Sequence, residues 1–246
     1  MQIINEQPQT RSRITQQPWE HFGSTQVIIA ALNEEQGIGL TIAELQERLF
    51  APRVVVVDGN SVDRTVEVSK DLGVDVFLQD GVGKGNAISK ALQYIDEEVQ
   101  YVVITDADYT YPAEYLPAMI EILEKNPQVG MVCGNRFNGH VDTKALHSRF
   151  YVGNKLLSFA HNLLNGVTLN DPLTGLRVIR AEILKDVALK SAGFDVEVEL
   201  NHLVERKRFK TVEVPIQYRQ RLGEKKLKMK HGITILKRIL LETITR

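Results

Sequence analysis

Three runs of mostly branched apolar residues constrain this chain more than any other feature: TQVIIAAL (25–32), RVVVVDG (53–59) and YVVITDAD (101–108). None alternates with polar residues and each is too short to be a helix, so each reads as a strand covered on both faces. Helical periodicity fills the gaps. GLTIAELQERLF follows the first run, and AEYLPAMIEILEKN follows the third. After the second, Ser61 and Asp63 act as capping signals for a helix from about Val62 to Leu72. VDVFLQ, VGMVCGNRF, LRVIR and KTVEVPIQY read as further strands, and GVGKGNAISKALQYI as a glycine loop entering a helix. Beyond Phe137 a long helix is expected over 144–165, then the turn-rich GVTLNDPLTG and helices around AEILKDVAL and EVELNHLVERKR. Strands alternating with helices argue for an α/β fold on a mainly parallel, doubly wound sheet.

In such a sheet, ligands gather beyond the carboxyl ends of the strands. Polar residues stand at four of those ends: Asn33, Glu34 and Glu35; Asp58, Asn60 and Ser61; Asp106 and Asp108; Asn135 and Arg136. Any one of them could be a helix cap, but four strand ends delivering polar groups to one edge point to a binding crevice. Asp106 and Asp108 are alternate residues at the end of a strand, so strand geometry turns both carboxylates to one side. Like charges so placed repel unless a cation stands between them. Oxygen donors of this kind suit Mg²⁺ or Mn²⁺, with room left for substrate phosphates. The bland alternative is a solvated turn in which Asp108 caps the segment TYPAEY. The loop GVGKGNA has the glycines of a phosphate cradle but is no Walker A motif, and Lys84 lies between two of those glycines.

Thirty Lys and Arg against 31 Asp and Glu give a net charge of −1, which excludes a chain that coats nucleic acid. The one cysteine, Cys133, has no partner for an internal disulfide and suits a reducing, cytoplasmic setting. No apolar stretch approaches the roughly 20 residues that cross a bilayer. Residues 1–23 read as a polar tail with no signal-peptide core.

In their order and spacing, AALNEE, VVDGNSVDRT, GKGNAI, TDADYTYP, NDPLTGLRV, GFDVEVEL and RLGEKKL resemble the family 2 glycosyltransferases of GT-A fold. Within that family they are most similar to the dolichyl- or polyprenyl-phosphate sugar transferases, over roughly residues 25–230. The resemblance implies a GT-A catalytic domain over 24–220, Rossmann-like with a mixed, mainly parallel central sheet flanked by helices, and inverting transfer of a hexose from a nucleotide-diphosphate sugar to a lipid phosphate at the cytosolic membrane face. It places Asn33, Glu34, Asp58 and Lys84 at the base and ribose, and Asp106 and Asp108 at the metal and the donor diphosphate. Arg136 and Arg149 fall at the acceptor phosphate with Asn154 nearby, and Asp171 falls beneath the sugar. Arg221 and Lys226 belong to a loop that closes over the diphosphates. Three positions depart from the family pattern: Gly59 for a second aspartate, Thr110 for a metal-contacting glutamine, and Lys225 for a serine. They leave UDP-glucose or UDP-N-acetylglucosamine at least as well matched as GDP-mannose.

A phosphate monoester, with a second pKa of about 6, is largely dianionic at neutral pH and attacks without a strong base. A hydroxyl acceptor, such as a glycerate or a polysaccharide end, would instead make Asp171 the leading general base. Both acceptors stay open on the sequence, as does a binding module that has lost catalysis. From Arg219 to Arg238, eight basic residues face one acid, Glu224, and Ile235, Leu236, Ile239, Leu240 and Thr243 recur at helical spacing. Residues 221–246 therefore read as a basic amphipathic segment. It would lie on a membrane surface, or pack on the core or a second subunit. His231 is a candidate third metal ligand, with a plain helix-end residue as the alternative.

Overall fold

The computed structural model describes residues 24–137, 149–165 and 167–244, with the side chains of residues 149–151 outside that description. Seven strands form one sheet in the order β3-β2-β1-β4-β6-β5-β7. They are β1 (Thr25–Ala31), β2 (Arg53–Asp58), β3 (Asp75–Leu78), β4 (Tyr101–Asp106), β5 (Val129–Asn135), β6 (Arg177–Arg180) and β7 (Lys210–Pro215). Only β6 is reversed, pairing antiparallel with β4 and β5. The mainly parallel sheet expected from the apolar runs is present, and β6 makes it mixed, as the resemblance implies.

The helices are α1 (Ile38–Arg48), α2 (Thr65–Asp71), α3 (Lys84–Leu92) and α4 (Leu116–Lys125), then α5 (Arg149–Asn165), α6 (Ala181–Leu184), α7 (Val196–Arg206) and α8 (His231–Ile244). Residues 144–148 of the expected long helix lie outside the described residues, and the helix is seen from Arg149. α2 begins three residues later than its capping signals suggest. Asp63 Oδ1 accepts from the N–H and hydroxyl of Thr65, at 3.0 and 2.5 Å, so the helix starts at Thr65. Ser61 is turned away, donating to Asp58 at 2.5 Å.

Strand alternation sorts the core into two layers. Val27, Ile29, Val54, Val56 and Val103 pack with Ile42, Leu45, Met119 and Leu123 of α1 and α4. Ile28, Val55, Val57, Val102 and Ile104 pack with Ile88 and Ala91 of α3 and with Leu200 and Val204 of α7. Burial on both faces is why these strands carry no polar alternation. α7 is buried along its length from Val196 to Val204, because α8 and α5 cover its outer side. There Val198, Ile235 and Ile239 meet Leu157, Leu164 and Phe194. Arg238 pairs with Asp195 at 3.1 Å and Arg206 with Glu242 at 2.9 Å. α5 turns Val152, Leu156, Phe159 and Leu163 outward, each at least 60% exposed. No helix among the described residues is long and apolar enough to cross a membrane.

Candidate active site

The carboxyl ends of β1, β2, β4 and β5 meet along one crevice, and the segment after β7 crosses it. At the β1–β2 end, Asn33 has a positive φ of 50°. Its N–H donates to Ser61 Oγ at 2.8 Å, and its Oδ1 accepts from Val62 N–H at 2.8 Å. Glu34 N–H donates to Thr65 Oγ1 at 2.7 Å. Asp58 is fully buried and accepts from both the N–H and the hydroxyl of Ser61. Lys226 reaches over from the C-terminal segment to donate to the Asn33 carbonyl at 3.1 Å.

The acidic doublet is held by two cations from different elements. β4 ends at Asp106, so alternation does not extend to Asp108, which lies in a turn followed by Tyr109 at φ 64°. Asp106 faces the α3–α7 layer, where Lys84 Nζ donates to its Oδ1 at 2.6 Å. The same ammonium donates to Glu197 of α7 at 2.7 Å, and its side chain is 9% exposed. Asp108 Oδ1 accepts from the Thr110 hydroxyl at 2.6 Å, while its Oδ2 takes a short bond from Arg221, whose other nitrogen grips Glu34. Burial first, and then the neighbouring charge of Asp106, holds the Asp108 carboxyl above its usual range. Glu34, buried with Oε2 unpartnered, is pushed up to about 7 by desolvation, against the opposing pull of Arg221 and Lys226.

Beside the doublet, Asp171 is completely buried and clamped by Arg136, whose Nε and Nη2 donate to its two oxygens at 2.7 Å each. Arg136 N–H adds a third bond at 3.1 Å. Glu213 of β7 fixes the loop from behind, accepting from the N–H groups of Asn170 and Asp171 at 2.8 and 2.7 Å. Arg177, also fully buried, anchors the same loop, donating to the carbonyls of Pro172 and Thr174 and to Asn201 Oδ1 at 2.7, 3.1 and 2.6 Å.

The structure thus brings together Asn33, Glu34, Asp58, Lys84, Asp106, Asp108, Arg136, Asp171, Arg221 and Lys226. Its hydrogen bonds do not join Asn154 or His231 to them. Asn154 lies on α5, where its carbonyl accepts from Ser158. His231 opens α8, its Nδ1 accepting from Lys228 N–H at 3.0 Å, with its ring 5.1 Å from Phe194. Arg149 opens α5, and its side chain lies outside the described residues. Sequence reasoning missed Glu197, Glu213 and Arg177. A helix as apolar in its setting as α7 yet carrying Glu197 and Glu199 was the available signal, since buried acids must meet partners.

These residues fit a divalent cation. Three cations hold five carboxylates: Lys84 with Asp106 and Glu197, Arg221 with Asp108 and Glu34, and Arg136 with Asp171. Each of these carboxylates supplies hard oxygen donors, the kind that suit a divalent cation. Among the described residues, no cluster of three or more His, Cys, Asp or Glu side chains is arranged to enclose a metal. The chain therefore offers a pair of carboxylates, leaving other positions to substrate oxygens.

A mixed, mainly parallel seven-stranded sheet flanked by helices is the GT-A fold of glycosyltransferases. The chain belongs to glycosyl transferase family 2, whose sequence model matches residues 26–188, and it is a glycosyltransferase. It is 35% identical over 209 residues to the dolichyl-phosphate hexose transferase of Haloferax volcanii, covering 84% of this chain and 87% of that protein. It is 29% identical over 216 residues to the undecaprenyl-phosphate mannosyltransferase of Micrococcus luteus, covering 81% and 86%. Among solved structures it shares the fold of glucosyl-3-phosphoglycerate synthase from Mycobacterium tuberculosis, seen in complex with Mn²⁺, UDP-glucose and phosphoglyceric acid. The TM-score is 0.72 at 19% identity, over 90% of this chain and 80% of that one.

Proposed function

We propose that this enzyme transfers a hexose, with inversion, from a nucleotide-diphosphate sugar to a dolichyl or polyprenyl phosphate, as a peripheral protein on the cytosolic face of the membrane. The observation that carries this reading is the state of Asp171. Its carboxylate is sealed from solvent and paired on both oxygens with Arg136, an arrangement that holds a guanidinium in place and serves proton abstraction poorly. An acceptor phosphate, already ionised, needs no base. It needs positive charge.

Arg136, Arg221 and Lys225 would supply that charge. Lys225 is held below the ordinary lysine range by partial desolvation first, then by the charges of Arg136 and Arg221. An acceptor phosphate would share these cations with the carboxylates that now hold Arg136 and Arg221. Asp106 and Asp108 would hold Mg²⁺ or Mn²⁺, which, when bound, neutralises the departing diphosphate. Asn33, Glu34, Asp58 and Lys84 would seat the nucleotide, and Lys226 would tie the segment after β7 to the β1 end. Arg149 and Asn154 of α5 remain assigned by resemblance to the acceptor phosphate; among the described residues nothing joins His231 of α8 to the acidic pair as a third metal ligand.

The lipid and membrane parts of the reading draw support from α5 and α8. The row Val152, Leu156, Phe159 and Leu163 faces solvent along α5, and Ile233, Leu236, Leu240 and Ile244 do so along α8. Thr243, which follows Leu236 and Leu240 on α8, bonds Asn165 of α5 at 3.1 Å, so the two rows belong to adjoining helices. Residues 221–246 would carry the basic part of this surface, attractive to anionic headgroups.

The test incubates purified protein with Mg²⁺ or Mn²⁺, a panel of UDP- and GDP-sugars, and either a short polyprenyl phosphate, the corresponding polyprenol, or 3-phosphoglycerate. Glycolipid from the phosphate alone is expected, with its anomeric configuration opposite to the donor's. Transfer to a hydroxyl, abolished by Asp171→Asn, would replace this reading with the base-catalysed one.

A further inference from the structure

Lys84 is a buried cation divided between two acids, and the second of them has no role in the reaction described so far. The pairing is built in by the backbone. Gly83, at φ 103°, and Gly85 bring the start of α3 against the segment 191–193. A Cβ on Gly85 would lie 2.0 Å from the Ser191 carbonyl oxygen, and one on Gly83 would lie 2.5 Å from that of Ala192. Asn86 N–H donates to the Ala192 carbonyl at 3.1 Å. Glu199 holds the same segment from below, accepting from the N–H groups of Lys190 and Ser191 at 2.8 and 2.7 Å. The first turn of α7 therefore stands at a fixed distance from Lys84, with Glu197 aimed at its ammonium.

We propose that Glu197 is a positioning residue that gives Lys84 a second carboxylate and so lets Asp106 be released to a divalent cation. This rests on the metal reading above. A cation taking Asp106 must weaken the 2.6 Å bond from Lys84. A buried ammonium stripped of its carboxylate is costly, but Glu197, 6% exposed and 2.7 Å away, remains as its partner. Without that second acid, Lys84 has Asp106 as its sole carboxylate among these contacts, and the metal must compete with the ion pair for it.

The experiment measures Mn²⁺ binding in the presence of UDP, and separately of GDP, by the loss of the free-ion electron paramagnetic resonance signal. The proteins are wild type, Glu197→Gln, Glu197→Asp, Lys84→Met and the double variant Lys84→Met/Glu197→Gln. Glu197→Gln should weaken Mn²⁺ binding at least about fivefold, within the usual range of site–site coupling, and Glu197→Asp should restore part of the loss. In the Lys84→Met background the same change should weaken binding less than about twofold, because the competitor is gone. Equal losses in both backgrounds would reduce Glu197 to a distant negative charge and overturn the proposal. So would unchanged binding in Glu197→Gln. A wild-type protein that binds no Mn²⁺ with either nucleotide would take down the metal reading and this proposal together.

Discussion

Asp108 gathers the opposing influences of the crevice into one side chain. It is buried, repelled by Asp106, and held by Arg221 and Thr110. Asp108→Ala is expected to lower turnover by more than about 100-fold, the scale of losing one preorganised charge contact. It should also abolish metal-dependent nucleotide binding, which calorimetry with Mn²⁺ and nucleotide would check. Asp171→Asn should reduce kcat through a displaced Arg136 yet leave the shape of the pH–rate profile unchanged; a lost acidic limb would mean that Asp171 takes a proton. His161 gives a stability prediction. It is 2% exposed, and burial lowers its pKa from 6.5 to about 4, with the Arg177 charge adding to the effect. The unfolded chain therefore binds the extra proton first, so stability present above pH 6.5 is lost as pH falls toward 4, by no more than about 3 kcal/mol. His161→Asn should flatten that part of the difference in denaturation midpoint. At this scale Asp106 and Asp108 were legible, because acids that end an apolar strand have no packing reason to be there. Glu197 was not, because its meaning depends on Lys84, which only the fold brings near.

Among the elements, the glycine loop before α3 is the instructive one. Its sequence suggests glycines that admit a phosphate, but Gly83 and Gly85 are required by the approach of residues 191–193. Gly85→Ala should therefore destabilise the protein by more than about 2 kcal/mol, as overpacking a closed contact does. It should weaken donor binding as Lys84 shifts. Gly153→Ala in α5, with no atom within 4 Å of the added methyl, should instead be neutral or stabilising by up to about 1 kcal/mol. Thermal denaturation of the two variants distinguishes a packed glycine from a merely permitted one. β1, β2, β4 and β5 were readable because burial on both faces leaves a continuous apolar signature. The late start of α2 was not, since Ser61 serves the crevice and not the helix.

For the molecule as a whole, the unanticipated feature is how α5 and α8 divide their apolar residues. The amphipathic tail was visible in sequence as a single stripe, yet Ile235 and Ile239 of that stripe are buried and help to cover α7. Removing α8 would thus uncover the core, and point changes test the membrane reading more cleanly. Leu156→Glu with Phe159→Glu should at least halve partitioning onto anionic vesicles in a flotation assay without lowering the melting temperature. Undiminished partitioning would detach α5 from any lipid surface. The order of the seven strands could not be read from the chain, because reversal of β6 follows from where its connections pass and not from its composition.

Arg177 has a consequence for how the loop bearing Asp171 behaves. A permanent positive charge sealed under the sheet has the carbonyls of Pro172 and Thr174 as its solvation shell, and detaching them would strand it in a nonpolar medium. That stretch is held shut, and the flanking amides of Asp171 and Gly175, bonded to Glu213 and to the Tyr111 hydroxyl, should be among the slowest to exchange with deuterium.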